Sequence, residues 1–242
     1  MSSRTPHRAR SESSENAGLG RPDPGLEAVL TRVEQSIASE RGVRAWLRSR
    51  STSSRVVSMC ALVAVLALSH LAWARRADWA VYPAGRLVLI AAVHALAVVY
   101  SIRVFLAPLT EPQRPGRASW VAGLLLLPVF AALLPELHTT PADQLETSAS
   151  VRAAASCFFY GGLVVVSVCA VLWCADRGGR AWLVGALPAV VGAGLSAYLV
   201  LQLHCANDNR VHLLLGHASI GFAWLVLLLG LRALGLAFQR SK

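Results

Sequence analysis

Six long apolar runs follow a hydrophilic, arginine-rich stretch over residues 1–55, and they leave few folds open to this chain. A bilayer span needs roughly 20 mostly apolar residues. The runs Val56–Ala74, Leu87–Leu109, Ser119–Leu137, Val151–Ala175, Trp182–Leu203 and His212–Phe238 meet or approach that length, and none carries a charge deep in its middle. They hold most of the 55% hydrophobic residues, so nothing remains to build a sizeable soluble core. The expected fold class is all-α: a polytopic membrane protein with a six-helix transmembrane bundle over residues 56–238. A short N-terminal cytoplasmic helical segment precedes the bundle, and a cytoplasmic end at 239–242 follows it.

The formal net charge of +10 is unevenly distributed. Arginines from Arg4 to Arg55 crowd the tail, and Arg103, Arg114, Arg117, Arg177, Arg180, Arg232, Arg240 and Lys242 fall on the same side if six spans alternate in direction. The positive-inside rule makes that side cytoplasmic and places both termini there. Arg75–Arg76, just after the first run, goes against the rule locally. The first run begins too late and is too long for the apolar core of a cleavable signal peptide, and is expected to act as an uncleaved anchor. The basic charge reads as a membrane flank facing lipid headgroups. No helix-turn-helix pattern and no basic region interleaved with aromatics points to direct contact with nucleic acid.

Within the tail, residues 1–22 are rich in Ser and Arg, too poor in large apolar side chains to offset their ordering entropy, and are expected to be disordered. At Asp23 the pattern changes. Asp23 suits an N-cap, Pro24 the first helical position and Glu27 the first turn. Leu26, Val29, Leu30, Val33 and Ile37 then recur at helical spacing and form one stripe. Such a helix either offers its stripe to the groove of a cytoplasmic partner or lies on the bilayer. Gly42 interrupts it before a second cluster of Val43, Trp46 and Leu47 among arginines. An isolated helix of this length is marginal in water, so it must fold against something.

Histidines gather in and beside the apolar runs: His70, His94, His138, His204, His212 and His217. Most lie towards the outer side, and the stretch from His204 to His217 bridges the fifth and sixth runs. A polar residue inside a membrane is a functional candidate by default, and imidazole with thiolate suits zinc, copper or haem iron. His212 and His217 are five residues apart, which on a regular helix turns one about 140° from the other. That spacing disfavours both ligating one ion, so a sensory hydrogen-bonded cluster, metal or haem binding, and incidental placement all stay open. Of the five cysteines, Cys60, Cys169 and Cys174 fall in the inner half, while Cys157 and Cys205 lie near the outer ends of the fourth and fifth runs. That pair is placed to meet, either as a redox-sensitive couple in an oxidising compartment or with Cys157 serving as a small buried residue. The sequence calls for no cofactor, and the metal question stays open.

The segment Leu203–Gly221, LHCANDNRVHLLLGHASIG, together with a short inner tail and six spans, resembles the membrane-bound anti-sigma factors of the NrsF type. The tail segment LEAVLTRVEQSIASERGVRAWLRS is similar to the CarR-like regulators of carotenoid synthesis. The resemblance implies that the tail holds an extracytoplasmic-function (ECF) sigma factor at the membrane and releases it on an envelope, light or oxidative signal. It implies Leu26, Val29, Leu30, Val33 and Ile37 as the sigma-contacting residues. It further implies Cys205 and Cys157 as the membrane-domain cysteines; His204, His212 and His217, from the reading of the residues themselves, join them as sensory or redox candidates. The expected partners are the sigma factor and the lipid bilayer, with no small-molecule substrate. A transporter needs polar groups converging at mid-membrane, for which His94 stands without a charged partner. A haem or metal protein of electron transfer is the other alternative. No nucleophile, base and orienting group can be assembled into an enzyme, and one His-x4-His pair is too little for a membrane di-iron desaturase.

Overall fold

A computed structural model describes residues 24–39, 45–46, 49–73, 76–78, 80, 82–107, 117–134, 147–175 and 182–240, and no strand occurs among them. Helix α1 spans Pro24–Ser39, α2 Thr52–Trp73, α3 Ala84–Leu106, α4 Arg117–Gly123, α5 Leu126–Leu133, α6 Thr147–Ala175 and α7 Trp182–His204. A single turn, α8 at Arg210–His212, leads through a π-helical segment at Leu213–Ala218 into α9, Ser219–Arg240. The chain is an all-α membrane bundle. Among the described residues, five helical stretches are long and apolar enough to cross a bilayer: Thr52–Ala72, Ala84–Leu106, Val151–Trp173, Ala186–His204 and Arg210–Phe238.

The third apolar run differs from the span expected of it. It forms a shorter apolar stretch, Ser119–Leu133, broken by a turn at Leu124 and Leu125. Pro128 supplies the reason. A proline has no N–H for the helical ladder and its ring collides with the carbonyl four residues back, which here is that of Leu124. The backbone tightens to three-residue bonds, Leu124 N–H to Val121, Leu125 N–H to Ala122 and Leu127 N–H to Leu124. The remainder of the expected run, and His138, lie outside the described residues.

Helix α7 is the axis of the bundle. It packs against α2, α3, α4, α6 and α9, and residues 190–198 are all buried. Its Val191, Leu195 and Leu201 meet Ile102, Leu125, Val164, Val168, Leu172 and Ile220 from the surrounding helices. The outer faces of those helices carry exposed Val65, Leu96, Phe159, Leu163, Val226 and Leu234. An inside-out distribution of this kind is unstable in water and suits hydrocarbon. Small residues allow the tightest approaches. A Cβ on Gly194 would come within 2.8 Å of the Gly221 Cα, so α7 and α9 touch backbone to backbone at that point.

Helix α1 carries its apolar residues into the open. Val29, Leu30 and Val33 are 57%, 52% and 48% exposed. Leu26 and Ile37 are helical, but their side chains lie outside the described residues, as do Asp23, the tail before it and the Gly42–Val43 region. Trp46 is exposed and stacks under the Arg50 guanidinium, 5.2 Å from the ring centre.

Candidate functional site

The loop between α7 and α8 is shaped by three consecutive polar residues. Asn207 accepts the backbone N–H of Asn209 at 3.0 Å, and Asn209 in turn caps the next helix, accepting from Val211 N–H at 2.9 Å and His212 N–H at 3.4 Å. These are the Asx-turn and N-cap bonds that short amide side chains form most readily. Between them Asp208 points inward and accepts a hydrogen bond from Arg76 Nη2 at 3.0 Å.

Arg76 is the residue that broke the positive-inside pattern, and its surroundings account for it. It is 2% exposed, paired with Asp208 and with Asp78 at 2.6 Å, bonded to the Gln202 carbonyl and stacked on Tyr82 at 3.7 Å. Burial opposes its charge, but the bonds to Asp78 and Asp208 outweigh that and hold the guanidinium above its ordinary value. The pair ties the loop after α2 to the loop after α7.

Beneath this clasp lies the cluster. Cys205 follows the last residue of α7, and its sulfur sits 3.7 Å from that of Cys157 on α6 and 3.2 Å from His212 Nε2. His217 completes the group. One donor atom from each of Cys157, Cys205, His212 and His217 lies within 4.8 Å of every other. His212 and His217 are fully buried, with ring centres 5.1 Å apart. The sequence expectation that these two histidines diverge is therefore corrected. His212 directly precedes a π-helical segment and His217 lies within it, and there the hydrogen bonds run from residue i to i+5 rather than i+4. The wider turn brings the fifth residue back over the first. Gly216 lets that turn reach α6, since a Cβ there would lie 2.9 Å from both Cα and O of Ala154, three residues before Cys157.

Cys205 also accepts the Asn207 backbone N–H at 3.5 Å. The thiol is held below its ordinary pKa, chiefly by the hydrogen bond from the Cys157 thiol and next by His212, against the opposing effect of burial. It is thus the group in the cluster best prepared to lose its proton.

Comparisons with protein-family models, curated proteins and solved structures found no match.

The other sequence candidates fall into two further groups. His70 meets Tyr160 edge-on and His204 meets it at a tilt, with ring centres at 5.7 and 4.9 Å. His94 is buried on α3, where its Nδ1 donates to the Ile90 carbonyl at 2.8 Å and its ring stacks on Tyr198 at 4.6 Å. Tyr198 accepts from Gln202 Nε2 at 2.9 Å and meets the His217 ring edge-on at 6.2 Å. This layer of His94, Tyr198 and His217 runs from α3 through α7 to the π segment. Sequence reasoning did not single out Tyr198, Gln202, Arg76 or Asp208, although the misplaced charge of Arg76 was a signal that a buried carboxylate should be sought. Cys60 and Cys169 stand apart on α2 and α6, both free.

Proposed function

We propose that this chain is a membrane-bound anti-sigma factor of a bacterial inner membrane, with its N-terminal segment in the cytoplasm. Helix α1 binds an ECF sigma factor and keeps it from the transcription machinery. A change at the Cys157–Cys205 end of the bundle, brought about by an envelope, light or oxidative signal, releases it. The observation that carries this reading is the exposed apolar stripe of α1, just before the first membrane helix. A stripe of this kind is stable when it lies in the groove of a partner. The resemblance of the tail and of the Leu203–Gly221 segment to NrsF-type and CarR-like regulators supplies the class of that partner. The buried cysteine and histidine cluster favours a sensory bundle over a passive anchor.

The test is a transcription reporter for the candidate sigma factor in cells carrying the full chain or its Val33→Asp variant at equal abundance. Each 1.4 kcal/mol lost lowers affinity tenfold, and placing an unpaired carboxylate in an apolar groove costs more than that. Reporter output should rise at least tenfold in the variant without any inducing signal. Output unchanged from wild type would refute α1 as the contact.

A further inference from the structure

The four donors at the end of the bundle have the composition and spacing of a metal site. We propose that Cys157, Cys205, His212 and His217 together bind one zinc(II) ion. The argument starts from distances. Tetrahedral zinc holds thiolate sulfur at about 2.3 Å and imidazole nitrogen at about 2.0–2.1 Å, which puts two ligating sulfurs about 3.8 Å apart and a sulfur and a nitrogen about 3.5 Å apart. Cys157 and Cys205 stand at 3.7 Å, and Cys205 and His212 Nε2 at 3.2 Å. A disulfide would need the sulfurs at about 2.05 Å, and both thiols are free.

The second observation is an unmet need. His217 is 1% exposed, yet neither ring nitrogen has a hydrogen-bond partner, and the Nδ1 of His212 has none either. Buried imidazole nitrogens are ordinarily satisfied. Here one nitrogen of His217 lies among the donor atoms of the other three residues, where a cation would satisfy it. Charge selects the ion. Two thiolates and two neutral imidazoles cancel the +2 of zinc, leaving a neutral centre where the surroundings are apolar and an uncompensated charge is costly. Copper(I) would leave the same set with a net negative charge. Both sulfurs bind as thiolates, so whatever thiol protons they still hold pass to solvent on binding.

The geometry also gives the site a mechanical role. It joins α6 to the hairpin of α7, α8 and the π segment, the part of the molecule that Arg76 and Asp208 clasp from above. The metal site is independent of the anti-sigma reading, because its test involves neither the tail nor a sigma factor.

The experiment uses the full chain in detergent, reduced and stripped with chelator, then titrated with zinc against a chromophoric competitor. The absorption spectrum with cobalt(II) in place of zinc is recorded alongside. Variants are Cys205→Ser, His217→Gln and, as a control outside the cluster, Cys60→Ser. The expected result is one equivalent of zinc bound by wild type and by Cys60→Ser, with the strong visible bands of tetrahedral sulfur-and-nitrogen cobalt. Binding should be at least a hundredfold weaker in Cys205→Ser and His217→Gln, whose helical circular dichroism is checked to be that of wild type. Failure of the reduced wild-type protein to retain zinc would overturn the proposal, as would equal binding by Cys205→Ser. A preference for copper(I) that displaces zinc would overturn the choice of ion.

Discussion

A thiol that accepts hydrogen bonds from a second thiol and a backbone N–H gives up its proton more readily than one in water, and Cys205 is so placed. Its folded-state pKa is lowered, chiefly by the Cys157 thiol, so at a given pH more of it is thiolate than of an ordinary thiol. Alkylation of Cys205 by iodoacetamide in chelator-treated protein, followed by mass spectrometry of its peptide, should therefore slow much less from pH 8 to pH 6 than that of an ordinary thiol. An ordinary thiol with a pKa near 8.5 would slow about 75-fold over that interval, and a fall of that size would contradict the hydrogen-bonded arrangement. At this scale the residue types of the site were legible in the sequence, because cysteine and histidine are rare in apolar spans. Their grouping was less so. The five-residue spacing of His212 and His217 was read on a regular helix, and nothing in LLLGHA announces a π turn except the glycine beside the second histidine.

Helical elements were legible wherever apolar length alone decides, as in α2, α3, α6, α7 and the stretch Arg210–Phe238. Over its described residues the third run forms a broken apolar stretch, because Pro128 clashes with the Leu124 carbonyl. Glycines separate packing from mere composition. Gly216→Val would drive a branched side chain against the Ala154 backbone at 2.9 Å, and overpacking of this sort costs about 1–3 kcal/mol. Thermal unfolding of the full chain in detergent should show that loss. Gly230, with nothing within 4 Å of a Cβ, should give the opposite sign on substitution by Ala, a gain of up to about 1 kcal/mol from helix propensity. Equal effects at the two positions would show that the π segment does not pack on α6 as described.

At the scale of the whole molecule, a central helix is enclosed by apolar neighbours, and the loops at the cysteine end are held by the buried Arg76–Asp208 ion pair, with Asp78 beside it. Removing one partner of such a pair typically costs about 3–5 kcal/mol. Asp208→Asn should fall near the lower figure, since Asp78 still faces Arg76, and a melting temperature within a degree of wild type would deny the clasp a structural role. The bundle was read from hydropathy alone, while the clasp was hidden because Arg76 and Asp208 are 132 residues apart in the chain. Helix α1 precedes this bundle in the chain with Val29, Leu30 and Val33 exposed, and under the proposed function it holds a sigma factor. Co-purification tests that claim most directly: the full-length chain is recovered in detergent from its own cells, with and without Val33→Asp, and the bound proteins are identified by mass spectrometry. An ECF sigma factor should be recovered in near-stoichiometric amount with the wild type and be lost from the variant. Recovery of the wild-type chain, intact and abundant, with no sigma factor bound would contradict it.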